Sequence, residues 1–191
     1  MIFTPTRSWI VVAAVAGIQT LALAYMLVNR ISLLASGREI VAEVVPVDPR
    51  DLFRGEYVIL NYSFTRTGEV PVPDGTTAGD KLYVTLKPGA EPKSWEIVSA
   101  SDTYPADTAP ENVVLKGFAN YVNGQTNTRP LTASIRYGIE SYFVPEGKGK
   151  ELEDLVRDKK IATVIAVGRN GEAAIKALEI DGKRIVEEPL L

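Results

Sequence analysis

The chain begins with one long apolar block and then changes rhythm. Between Arg7 and Arg30 the sequence SWIVVAAVAGIQTLALAYMLVN carries no charge. At about 1.5 Å per residue, these roughly 22 positions cover about 33 Å, which matches a bilayer core and predicts one membrane-spanning helix. Trp9 and Tyr25 stand near its ends, where amphipathic rings favour the membrane–water interface. A cleaved secretory signal is the competing reading, with Ala22-Leu23-Ala24 as the processing site. Against it, the apolar run continues through Met26, Leu27 and Val28, beyond the usual signal core of roughly 7 to 15 residues. Small residues at four-residue spacing, Ala13 with Gly17 and Ala16 with Thr20 and Ala24, permit close packing against another helix, where Gln19 could add a hydrogen bond.

From Gly37 onward the apolar residues fall into short alternating runs separated by turn residues, the pattern of β-strands. The predicted strands are REIVAEVVPV, EYVILNYSF, DKLYVTLK, SWEIVSAS, NVVLKGFANYV, LTASIRYG, SYFVP, IATVIAVG, EAAIKALEI and KRIVEE. Turn chemistry separates them at Pro73-Asp74-Gly75, Lys87-Pro88-Gly89, Asn123-Gly124, Asn170-Gly171 and Asp181-Gly182. The last two predict a C-terminal meander. Only GKELEDLVRDKK, residues 149–160, has helical spacing, with Leu152 and Leu155 one turn apart. The expectation is therefore a tail and anchor helix over residues 1–36, followed over 37–191 by a mainly β domain. That domain would be a sandwich or barrel-like, with one short α-helix.

The segment LFRGEYVILNYSF, residues 52–64, concentrates several signals. If it is extended, Glu56, Val58, Leu60, Tyr62 and Phe64 share one face while Tyr57, Ile59, Asn61 and Ser63 share the other. Both faces are largely apolar at their start, which predicts a central strand buried on two sides. Gly55 fits a tight entry into it, and VDPRDLFRG upstream reads as a charged turn.

Composition narrows the chemistry. The 191 residues include 21 basic and 24 acidic side chains, a net charge of −3, which provides no overall attraction for nucleic acid. Cysteine and histidine are absent, which excludes disulfides, thiol nucleophiles, imidazole bases and Cys/His metal sites. Asp48, Asp51 and Glu56 lack the loop spacing of a calcium site, and nothing resembles a phosphate-binding glycine loop. No metal and no cofactor is expected.

Gly55-Glu56-Tyr57, then Leu60, then Tyr62, resembles the motif for which the GDYXXLXY family of bacterial membrane-anchored proteins is named, with Glu56 in place of its aspartate. RYGIESYFVPEGKGKELE, residues 136–153, resembles that family's second typical stretch. The resemblance implies a single-pass protein of the bacterial inner membrane, with its C-terminal domain in the periplasm, and no assigned activity. RGEYVILNY is also similar to a strand of membrane-bound signal peptidases, but Asn61 and Tyr62 stand where a lysine would be wanted.

Three uses of the charged and aromatic residues compete. Arg50, Asp51, Arg54 and Glu56 could pair with one another or with Glu140 and Glu146, locking loops to the sheet. Alternatively, Arg50, Arg54, Gly55, Glu56, Tyr57, Leu60 and Tyr62 could form a binding surface with Tyr142, Phe143, Pro145 and Glu146, because aromatic and arginine side chains anchor interfaces. Thirdly, Glu56 and Glu146 could serve as acid and base of a periplasmic hydrolase. The expected function is a noncatalytic binding or scaffold module for an envelope or membrane-protein partner, with the carboxylate hydrolase as the alternative.

Overall fold

The computed structural model of the chain describes residues 5–45, 57–66, 69–124, 130–143, 155–156 and 160–187. One helix, α1 (Pro5–Ser36), precedes a β-rich body. Every residue of α1 from Trp9 to Arg30 is exposed, and Trp9–Ser36 is long and apolar enough to cross a membrane. Its last turn is different: Leu34 is buried against the body. The helix stops where Gly37 N donates to Leu33 O at 2.9 Å. A Cβ at Gly37 would lie 2.5 Å from Leu33 O and 3.2 Å from Ala166 Cβ, so only glycine lets helix and sheet meet this closely.

The strands are β1 (Arg38–Glu43), β2 (Tyr57–Ile59), β3 (Val70–Pro71), β4 (Lys81–Pro88), β5 (Trp95–Ser101), β6 (Val113–Asn123), β7 (Thr132–Arg136), β8 (Ser141–Phe143), β9 (Ile161–Val167), β10 (Ala173–Ile180) and β11 (Lys183–Glu187). They form a four-stranded sheet β1-β9-β10-β11, a five-stranded sheet β3-β7-β6-β4-β5, and a two-stranded ribbon β2-β8. The pairings are antiparallel. Ile40, Leu60, Tyr62, Leu82, Leu115, Ile135, Ile165 and Leu178 belong to one core shared by all three. Burying such side chains supplies the main stabilisation, at roughly 25 cal/mol per Å² of apolar surface.

The two larger sheets touch at two places, giving a barrel-like closure. Beside edge strands β1 and β5, Glu43 N donates to Lys93 O at 2.9 Å, and the Trp95 indole donates to Val41 O at 2.9 Å. At the second place, the β9–β10 turn docks on the part of the central strand β6 that β7 leaves unpaired, where Lys116 N donates to Gly171 O at 2.7 Å. Across the outside of the four-stranded sheet, Glu39 joins Lys176 (2.8 Å) and Arg184, whose long stems cover the small residues of β9.

The mainly β class and the C-terminal meander agree with expectation. Asp181 and Gly182, both at positive φ, make the two-residue turn between β10 and β11. One expectation needs correction. EYVILNYSF is not one central strand: β2 ends at Ile59 in a two-stranded ribbon, and Ser63–Arg66 forms the short helix α2. Thr65 explains the break, since its Oγ1 accepts from Tyr62 N at 2.8 Å, its N donates to Tyr62 O at 3.0 Å, and this local bonding closes a turn. Of the helix predicted over 149–160, Leu155, Val156 and Lys160 lie among the described residues, and the first two are helical.

Gly171 has φ +81°, and a Cβ there would meet Lys116 N at 3.1 Å. Gly171→Ala should therefore destabilise the full chain in detergent by about 1–2 kcal/mol, read as a lower urea midpoint with unchanged slope. An unchanged midpoint would mean the turn does not close the barrel.

Candidate functional site

Two regions carry the polar organisation of the molecule. The first is built from the 57–65 segment and residues 137–143. Strand β2 pairs with β8 as Tyr57 with Phe143, Val58 with Tyr142 and Ile59 with Ser141. Leu60 N continues the ladder to Glu140 O at 2.8 Å. The chain then swings to β1, where Val45 N donates to Asn61 O at 2.7 Å and Tyr62 bridges Val44. Leu60 and Phe64 are buried, and Tyr62 has 0% exposure. The Tyr62 hydroxyl donates to Ile139 O at 2.8 Å, and its ring stacks on Phe64 with centroids 5.2 Å apart. Tyr137 meets Phe64 edge-on at 5.5 Å.

Electrostatics fix the roles of these groups. Burial pushes the Tyr62 phenol well above the ordinary tyrosine range, with the neighbouring Thr163 hydroxyl opposing it and the Glu140 charge adding to it. Burial, then Glu140, raises Tyr137 in the same way. Both phenols stay protonated, so Tyr62 works as a hydrogen-bond donor and not as a base. The Glu140 carboxylate accepts from Tyr137 N at 2.5 Å and Gly138 N at 2.8 Å, so it shapes the turn leading into β8.

The residues proposed from sequence as a binding surface therefore divide. Leu60 and Tyr62 are in the core, where no surface partner reaches them, which corrects their placement on such a surface. Tyr57 and Phe143 face each other as a backbone pair, and Tyr142 is half-buried at the core margin. Arg50, Arg54, Gly55, Glu56, Pro145 and Glu146 lie outside the described residues. The two stretches that carried the family resemblance are thus adjacent and antiparallel, a relation that spacing alone does not reveal.

The second region lies at the root of α1, a half-open cleft of about 780 Å³ with mixed polar and apolar walls between the helix end, residues 104–114 and the β9–β10 turn. On its wall, the Glu172 carboxylate accepts from Lys116 Nζ at 2.6 Å and Asn29 Nδ2 at 3.3 Å. The Lys116 ammonium, with help from the Asn170 and Asn29 side chains, holds Glu172 below the usual glutamate range against partial burial. On the far side, the Arg38 guanidinium clamps the 102–112 loop through Pro110 O (2.7 Å), Asn112 O (2.8 Å) and Glu111 O (3.1 Å). Sequence reasoning missed this region, because its partners lie up to 143 positions apart and no motif marks them. Among the described residues, no group of three or more carboxylates could hold a metal.

These features define a class: a barrel-like β body joined at its first strand to a long apolar helix. The GDYXXLXY protein model matches residues 19–178, and the chain belongs to that family. No curated protein and no solved structure matches it.

Removing the Tyr62 hydroxyl leaves a buried carbonyl without its donor. Tyr62→Phe should cost about 1–3 kcal/mol and Leu60→Ala about 2–5 kcal/mol in urea unfolding of the full chain. A near-neutral Tyr62→Phe would remove the stitch between the two stretches from the account.

Glu172 adds a pH signature. Its folded pKa is depressed, so its stabilisation is complete above the ordinary glutamate value and is lost as pH falls through the folded value. Its side chain is about a third exposed, so Glu172→Gln should cost at most about 1 kcal/mol at neutral pH. The variant should also flatten the acid limb of stability below the ordinary glutamate value, and an acid limb equal to the parent's would assign that limb to other carboxylates.

Proposed function

We propose that this protein is a single-pass anchor of the bacterial inner membrane that holds its β body in the periplasm as a noncatalytic binding or scaffold module for an envelope or membrane-protein partner. One observation carries the reading: α1 leaves its apolar surface exposed from Trp9 to Arg30, while its last turns are locked to the body through Asn29, Glu172 and Lys116. A helix that is apolar all round belongs in lipid or against other helices. A body bonded to that helix follows whatever the helix packs against.

Two details agree with a partner in the membrane. A Cβ added at Gly17 would meet nothing within 4 Å, so this face of α1 is open to a second helix. The Thr20 hydroxyl is already satisfied by Ala16 O at 2.9 Å, so a polar group on this face does not oppose burial in lipid. The side chains with the most marked environments, Tyr62, Tyr137 and Glu140, serve the core and a turn, which agrees with a noncatalytic role.

The test uses the absence of cysteine. A single Lys183→Cys should react with a membrane-impermeant maleimide in cells whose outer membrane alone is opened, and reaction only after full lysis would overturn the periplasmic orientation. A photo-crosslinker at Ala13, one turn before Gly17, should trap one discrete membrane-protein adduct, lost in Gly17→Leu. Only lipid adducts at position 13 would overturn a partner bound through this helix.

A further inference from the structure

The outer face of the five-stranded sheet carries a cluster that the core and the helix root leave unused. Lys81 on β4 stands opposite Phe118 on β6, and Phe118 stands opposite Arg136 on β7, which makes one row across three strands. Phe118 is 43% exposed and Tyr121, further along β6, is 54% exposed. The Lys81 ammonium lies 5.3 Å from the Tyr83 ring centroid, and Tyr83 meets Tyr104 edge-on at 5.4 Å, with Tyr104 44% exposed. Exposed aromatics rimmed by cations are not a face that water alone favours.

The acidic groups around this row are already engaged. Glu172 and Glu96 pair with Lys116 and Lys87, and Asp80 beside Lys81 accepts from Thr77 N and Oγ1, whereas Lys81 and Arg136 form no ion pair among the described residues. Glu69, at the far rim, is held by Asn123 and Thr132.

Position supplies the second argument. From Trp9 to Asn29, α1 rises about 30 Å, the thickness of the hydrocarbon core, so Asn29 falls where the chain leaves it. Asn29 is bonded to Glu172, and Glu172 to Lys116. Phe118 follows Lys116 by two residues, about 7 Å along the strand, comparable to the depth of the headgroup layer. Tyr104 also lines the cavity at the helix root.

Resting on the anchor reading above, we infer that the Lys81–Phe118–Arg136 row and its flanking tyrosines form a membrane-facing surface that binds anionic phospholipid headgroups beside the anchor. The two cations meet the phosphates, and the aromatic rings occupy the interfacial layer that amphipathic rings favour. A lipid surface satisfies charge and aromatic character together, and the tether through Asn29 brings it within reach. An acidic protein would need to reach the same confined space.

The experiment uses full-length protein in nanodiscs of phosphatidylcholine, with or without phosphatidylglycerol, and a quencher attached to a lipid headgroup. A fluorophore is placed on Asn120→Cys, on the same face, or on Lys183→Cys, at the opposite end of β10. Quenching at position 120 should exceed that at 183 by about twofold or more in discs containing phosphatidylglycerol, and the excess should shrink in phosphatidylcholine alone. Raising salt to about 0.5 M, or introducing Lys81→Glu with Arg136→Glu, should remove the same excess. Salt also serves should the double variant fail to fold. Equal quenching at both positions, or an excess that ignores lipid charge and salt, overturns the proposal. Failure of the chain to enter the discs would instead overturn the anchor reading and this surface with it.

Discussion

The hydrogen bond from the buried Tyr62 hydroxyl to the Ile139 carbonyl joins segments 77 positions apart, and the local architecture depends on it. The β2-β8 ribbon has only three residue pairs, and a two-stranded ribbon of that size is not stable alone in water. It persists because its exit is pinned. Leu60 N extends the ladder by one bond, and the next residues carry Tyr62 and Phe64 into the shared core. Burial makes the pin strong in both senses: it raises the cost of leaving Ile139 O unpaired and keeps the Tyr62 phenol protonated, as a donor must be.

Closure of the body follows a similar logic, with few contacts fixing large elements. The two main sheets meet through single backbone bonds at two separate places, Glu43 to Lys93 and Lys116 to Gly171. Lys116 serves twice, since its amide receives the β9–β10 turn while its ammonium holds Glu172. Glu172 then reaches Asn29 on the helix. The helix, the turn and the central strand of the five-stranded sheet thus meet at one carboxylate.

Much of this fold was legible in the sequence, and the exceptions have physical causes. Strands such as LYVTLK and VVLKGFANYV show alternation that survives over Leu82–Val84 and Leu115–Asn120, where one face lies on the core, while Val84–Leu86 and Val113–Leu115 are buried on both faces. NG and DG fixed the meander because glycine takes the positive φ that both turns require. EYVILNYSF misled because Leu60, Tyr62 and Phe64 keep strand-like alternation of burial while the backbone turns away after Ile59. The hydroxyls of Ser63 and Thr65 supply that turn: Ser63 Oγ binds the Trp95 backbone while Thr65 closes on Tyr62. Short β3, with Pro71 in two residues, has too little pattern to read. The helix root was not legible at all, because Asn29, Lys116 and Glu172 are ordinary polar residues whose meaning comes only from their meeting.

The family motif takes on a different sense in this light. Of its described positions, Leu60 and Tyr62 point inward and the β2 backbone is consumed by pairing with β8. A motif used this way specifies how two distant stretches lock together, and it places no constraint on what the outer surface meets. Recognition in such a body has to come from residues the core does not need. On the described surface, the aromatic side chains with substantial exposure outside the helix are Tyr104, Phe118 and Tyr121, all on or beside the outer face of the five-stranded sheet. The core explains why these strands exist but not why that face carries aromatic rings, and a wet surface gains nothing from them. On the anchor reading, their strands' link to the end of the long apolar helix gives them a use that folding alone does not.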